Sequence, residues 1–201
     1  RDRRELPVCV IGDSFVAGYG DATGRGWTSR IVKAAADEGL QLLPTVAGVG
    51  GDTSVMILGR WDEVDRRRAS FPTTAVIAEF GVNDVMHVDG LERVGESGTV
   101  AALRGMIARA PHERFLVVGP PPVIDAGAPH LTRTTRLAAE MAALCRARAV
   151  PFLAVTEALA ADPAWVAEVR DGDGAHPGSH GYDRLADLIL DGGWRAWITG
   201  S

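Results

Sequence analysis

Four short stretches hold the residues able to do covalent chemistry: GDSF at 12–15, GGDTS at 50–54, GVND at 81–84 and DGAHP at 173–177. Cleaving an ester through a serine needs a hydroxyl nucleophile, an imidazole to take its proton, and a carboxylate to orient that imidazole. It also needs donors aimed at the oxyanion of the tetrahedral intermediate. Each part has a candidate. Ser14 sits behind an apolar run, where a glycine turn can expose its Oγ. His176 is the candidate base, and Asp173 lies three residues earlier, so one loop can bring its carboxylate to the other ring nitrogen. Pro177 stiffens the chain just after the base. Gly51 offers a backbone N–H free of Cβ interference, and Asn83 offers a side-chain amide. With the Ser14 N–H they make a candidate oxyanion hole.

Taken singly, each stretch also has an ordinary reading. GDS is common turn chemistry and can simply cap a following helix. GGDTS can be a glycine turn with a helix cap, and GVND an Asx turn leaving a strand. A histidine near an aspartate is usually a surface pair. Asp13 and Asp84 read as structural, accepting hydrogen bonds from the backbone of the turns that hold Ser14 and Asn83.

The elements that must position these groups follow from hydrophobic patterning. Continuous apolar runs at 6–12, 41–48, 73–80, 114–119 and 151–155 predict strands covered on both faces. Pro44 places the second at a sheet edge. Between them, helical spacing links Trp27, Ile31, Ala34 and Ala35, with a stop at Gly39. It also links Ile57, Leu58, Trp61 and Val64, capped by Asp52 or Thr53. Three further sets are Leu103, Met106, Ile107 and Ala110; Leu137, Met141, Leu144 and Cys145; and Tyr182, Leu185, Ala186, Ile189 and Leu190. Alternating strands and helices predict a single α/β domain over 1–201, with a mostly parallel sheet between helical layers. In such sheets function collects beyond the carboxyl ends of the strands, which puts the loops after Gly12, Gly48, Gly81 and Gly119 on one rim.

In this order the motifs resemble those of the SGNH/GDSL hydrolase family of GDSL-type esterases and lipases, across residues 12 to 177. The resemblance implies a flavodoxin-like three-layer α/β/α sandwich with a mostly parallel five-stranded sheet. It implies Ser14 as nucleophile, His176 as base and Asp173 as its partner. It also implies an oxyanion hole from Ser14, Gly51 and Asn83, and no metal or organic cofactor. Phe15 replaces the leucine of the family's name, and Val82 stands where glycine is frequent; neither removes a catalytic atom. The expected substrate is a small-molecule ester of short or medium acyl chain, or a thioester. Phe15, Val82, Val85 and Met86 would form the apolar acyl wall, with Val88 beyond them. Deacetylation of a sugar or natural product, and acyl transfer, use the same acyl-enzyme.

Other chemistries lack their residues. The net charge is −5 with signs well mixed, which gives no footing for nucleic acid. There is no Gly-Lys-Ser/Thr for a phosphate loop and no GxGxxG after the first strand. The DGDG at 171–174 starts like a calcium loop, but Tyr182 stands where the closing Glu belongs. Cys9 and Cys145 read as buried free thiols. His87 follows GVND closely enough to reach the cleft, while His112, His130 and His180 read as loop or helix-start residues. No apolar run approaches the roughly 20 residues of a membrane span. With no leader in view and no initiating methionine, the expectation is a cytoplasmic rather than secreted chain, with a trimmed N-terminus allowed.

Overall fold

The structure, a computed structural model, describes residues 5–110 and 112–200. Residues 1–4 and 201, the ends of the expected 1–201 unit, lie outside the described residues. The chain runs β1 (Glu5–Gly12), α1 (Ser14–Ala17), α2 (Gly26–Asp37), β2 (Gln41–Gly48), α3 (Ser54–Gly59), α4 (Asp62–Ser70) and β3 (Ala75–Glu79). A hairpin of β4 (His87–Val88) and β5 (Leu91–Glu92) follows, then α5 (Gly95–Arg109), β6 (Phe115–Val118), α6 (Gly127–Ala147) and β7 (Phe152–Leu153). Four helices close the chain: α7 (Thr156–Ala160), α8 (Pro163–Asp171), α9 (Ser179–Ile189) and α10 (Arg195–Thr199).

The main sheet has five strands in the order β2-β1-β3-β6-β7, and every neighbouring pair is parallel. Counted along the sheet's own strands this is the flavodoxin-like 2-1-3-4-5 order, whose crevice opens between β1 and β3. β2 is an edge strand, as Pro44 required. The central strands β1, β3 and β6 are buried on both sides. Leu6, Val8 and Val10 of β1 and Ala75 and Ile77 of β3 point into one core, with Trp27 and Ile31 of α2, Trp165 of α8, and Tyr182 and Leu185 of α9. Cys9, Ile11, Val76 and Ala78 point into the other, with Ile57, Val64, Leu103, Met106, Leu137 and Met141. Both cysteines are buried in that second core as free thiols.

Three expectations change. The helix predicted through Ile57 and Val64 is two, separated at Arg60 and Trp61, and Thr53 rather than Asp52 caps the first. The last strand shortens from 151–155 to Phe152–Leu153 because it pairs on one side only, with β6. Helices α7 and α8, absent from the hydrophobic pattern, fill the return to the Asp173 loop. Asp162 caps α8 by accepting from the Ala164 and Trp165 N–H groups, with Pro163 at its first turn.

Candidate active site

Gly12 ends β1 where β3 lies so close that a Cβ would stand 2.2 Å from the Glu79 carbonyl oxygen. The chain then turns at once into α1. Asp13 caps that helix, its Oδ1 accepting from the Phe15 N–H at 2.9 Å. Ser14 is therefore the first residue of a helix at the carboxyl end of β1, with its own N–H among the orphan donors of a helix start.

The C-terminal loop brings its two residues to the same point. His176 Nε2 lies 2.7 Å from Ser14 Oγ, and His176 Nδ1 lies 2.7 Å from Asp173 Oδ2. Asp173 Oδ1 accepts from the Ala175 N–H at 2.9 Å and the His176 N–H at 2.8 Å. Partial burial pushes the Asp173 carboxyl up, but the His176 ring and these two backbone donors outweigh it and hold it at about 2. An ionised Asp173 can only accept, so the imidazole proton sits on Nδ1. Nε2 then presents its lone pair to the Ser14 hydroxyl, which is the arrangement a general base requires.

Aromatic rings hold that imidazole in place. Phe15 packs against it at 5.1 Å between centroids and Tyr19 at 5.5 Å. Behind Phe15, Trp165 stacks at 6.0 Å and donates its indole N–H to the Pro122 carbonyl. Phe15, expected only as acyl wall, thus also supports the candidate base. The Tyr182 hydroxyl donates to the Tyr19 carbonyl at 2.7 Å, tying α9 to the same loop.

The oxyanion candidates come from two other strand ends. Gly51 has a φ of 77°, which favours glycine, and a Cβ there would meet open space, so conformation rather than crowding explains the residue. Arg93 donates to the Gly51 carbonyl at 2.9 Å, which holds the peptide that follows the candidate N–H. Arg60 donates to the Gly12 and Ala47 carbonyls at 2.7 and 2.9 Å and to Asp52 Oδ2 at 2.7 Å, locking this loop to β1 and β2. Asn83 faces the cleft, but its amide nitrogen already donates to Asp13 Oδ2 at 3.2 Å and to the Asp52 carbonyl at 3.0 Å. An oxyanion would share these hydrogens. Asp84 behaves differently from expectation. It is fully buried and accepts from the Ser54 N–H, the Ser54 hydroxyl and the Thr99 hydroxyl, pinning α3 and α5 rather than its own turn.

These groups line an open cleft of about 250 Å³. Ser14, Asn83 and His176 line it together with Phe15, Val82, Met86 and Val123. Val85 does not belong there. It is wholly buried in the second core, beside Phe80 and Leu103 in the same cluster. The turn through Asn83 and Asp84 carries Val82 and Met86 to the cleft and turns Val85 inward. His87 is exposed on β4 and away from the cleft lining. His130 is a buried residue of α6, with Nε2 3.2 Å from the Val82 carbonyl. His180 starts α9 and pairs with Glu168 at 2.9 Å.

Sequence reasoning missed Tyr19, Gly20, Arg60, Val123 and Trp165. Tyr19 and Gly20 lie four and five residues past the end of the first motif, and that closeness was the available signal. Arg60 and Trp165 carried none.

A model of the GDSL-like lipase/acylhydrolase family matches residues 10–184. The chain belongs to this family. The esterase is 31% identical to a GDSL lipase of Mycobacterium tuberculosis, covering 94% of its own length and 81% of the relative's. It is 28% identical to the esterase TesA of Pseudomonas aeruginosa, over 90% of this chain and 85% of that one. Its fold matches the crystal structure of a lipase/acylhydrolase from Enterococcus faecalis with a TM-score of 0.74 at 22% identity, covering 92% and 94% of the two chains.

Proposed function

We propose that this esterase cleaves small carboxylic esters of short or medium acyl chain, or the corresponding thioesters, through an acyl-enzyme on Ser14. The observation that carries the reading is the unbroken chain from Ser14 Oγ through His176 to Asp173, with 2.7 Å at each link. Ser14 Oγ attacks the carbonyl carbon as its proton passes to His176 Nε2. Asp173 stabilises the imidazolium that forms. The oxyanion is met by the Ser14 and Gly51 N–H groups and the Asn83 amide, each such donor contributing about 3 kcal/mol in the transition state. His176 then gives its proton to the leaving alcohol. Water then enters, loses a proton to the same nitrogen and attacks the acyl carbon, and the nitrogen returns the proton to Ser14 Oγ as the acid leaves.

The cleft's apolar wall of Phe15, Val82, Met86 and Val123 supports an apolar acyl group. Its openness, with Tyr19 half-exposed at the mouth, supports water rather than a sequestered alcohol as the second nucleophile. The test is Ser14→Ala, checked for folding and assayed on a series of aryl esters from acetyl upward beside an acetylated-sugar panel. We expect kcat to fall by at least ~1,000-fold and a serine-directed phosphonate to label Ser14. Retained activity, or labelling elsewhere, would overturn the assignment. Strict preference for acetylated sugars would replace the acyl-chain reading with deacetylation, and ester products formed with a competing alcohol would replace hydrolysis with transfer.

A further inference from the structure

Beneath the site lies an acid that none of these steps uses. Glu79 is the last residue of β3, in register with Gly12, and it is completely buried. Neither of its carboxyl oxygens is met by an N–H or O–H donor of the described residues. Its partner is the carboxyl of Asp13, also completely buried. Two carboxyls in contact away from water need one proton between them. Asp13 is already an acceptor from the Phe15 N–H at 2.9 Å and the Asn83 amide at 3.2 Å. That makes Asp13 the ionised member and leaves the proton on Glu79.

We propose that Glu79 is a positioning residue: as a neutral acid it donates to Asp13, and through Asp13 it sets both the Ser14 turn and the Asn83 amide. The inference rests on the reading of Ser14 and Asn83 given above. With the proton in place, Asp13 divides its demand among three donors, so Asn83 can turn its longer, 3.2 Å hydrogen bond toward a forming oxyanion. Without the proton, two buried anions would lie side by side under the point where a third negative charge must develop.

Arg60 comes near, but it donates to the Gly12 carbonyl and to Asp52, and among the described residues no cationic side chain donates to either carboxyl of the pair. The groups acting on the pair are Asp52 and Asp84, which face Asp13, and Tyr182 of α9, which faces both carboxyls; all are acids. Burial pushes both carboxyls up: Asp13, held back by the Phe15 N–H and Glu79, to about 7, and Glu79, which also feels the Asp13 charge, well above the usual carboxylate range. Burial, then Glu79 and Asp13, also pushes Tyr182 upward, so its hydroxyl stays protonated through the alkaline range of an assay.

The test compares Glu79→Gln and Glu79→Leu with the wild type across pH, using an aryl ester and phosphonate titration of Ser14. In the wild type kcat should fall at alkaline pH, as Glu79 ionises, with KM unchanged. Glu79→Gln keeps an N–H donor for Asp13 and cannot ionise. It should hold kcat within about 3-fold of wild type at neutral pH and lose the alkaline fall. Glu79→Leu should lower kcat by at least ~10-fold at every pH while KM moves little. A wild-type profile with no alkaline fall, the same fall kept in Glu79→Gln, or a fully active Glu79→Leu would overturn the proposal. If the leucine variant does not fold, the glutamine profile decides alone. Should Ser14→Ala be inactive while Glu79→Gln keeps the wild-type profile, only this inference fails; an active Ser14→Ala fails the underlying reading instead.

Discussion

Gly20 is where a single methyl group should reach the chemistry without touching a reacting atom. A Cβ at this position would stand 2.6 Å from the Pro177 carbonyl oxygen and 2.9 Å from the His176 Cβ. Ordinary contact starts near 3.4 Å, so the 176–177 backbone or the Gly20 turn must withdraw by roughly 0.8 Å. His176 has only 2.7 Å to Ser14 on one side and 2.7 Å to Asp173 on the other, with rings on its faces. A misplacement near 1 Å costs on the order of 100-fold, so Gly20→Ala should lower kcat by about 10- to 100-fold. The residue also has a φ of +83°, and alanine there costs a further 1–2 kcal/mol or so of stability. In a chain of this size that lowers Tm by about 2–8 °C. Gly24 separates the two effects. Its φ is +66° and a Cβ there meets nothing within 4 Å, so Gly24→Ala should lower Tm similarly and leave kcat unchanged. The assay is kcat and KM on an aryl ester beside thermal unfolding of both variants. A Gly20→Ala enzyme with wild-type kcat and a Tm loss matching Gly24→Ala would refute the claim that the His176 loop has no slack.

Three further outcomes are expected. Asp173→Asn keeps an oxygen for the Ala175 and His176 N–H groups but offers an NH₂ to the imidazole, which moves the ring proton to Nε2; kcat should fall ~100- to 10,000-fold with Tm nearly unchanged, and a loss under ~10-fold would count against the tautomer argument. Met86→Ala should weaken longer acyl esters selectively, whereas Val85→Ala should cost about 2 kcal/mol of stability with the acyl-length profile intact, read from KM series and urea melts. Asp21 is buried; burial pushes its carboxyl up, but Arg30 and Thr23 donate to it and hold it at about 2. A depressed carboxyl stabilises the fold above its unfolded value near 4 and loses that contribution as pH falls through about 2. Asp21→Asn should therefore be about 2 kcal/mol less stable at neutral pH, with the gap closing toward pH 2 in urea titrations.

How much of this was legible in the sequence depends on which physical rule each feature obeys. The parallel sheet was legible because burial on both faces turns a strand into a continuous apolar run, and Pro44 marked the edge for want of an N–H. The two ends of the Ser14–His176–Asp173 chain were legible because each lies within one short stretch, where residue type and spacing decide what can meet. Val85 was misplaced because apolarity says that a side chain leaves water, not which side of a turn it leaves on. Asp162 followed by Pro163 is a helix start that needed no hydrophobic period, so α8 could have been read from its cap.

Asp13 marks the deeper limit. As a capping residue it obeys a local rule, and its hydrogen bond to the Phe15 N–H spans two residues. Its other oxygen reaches Asn83 across 70 residues of chain, and its carboxyl meets Glu79 because β1 and β3 are adjacent and in register. No spacing rule reaches those contacts, since they arise from strand order rather than from sequence distance. The same side chain therefore caps the helix that begins with Ser14 and holds the amide that would receive the oxyanion. Under the proposal above, a glutamate on a different strand would set its ionisation, so Ser14 and Asn83 would be coupled through one shared proton.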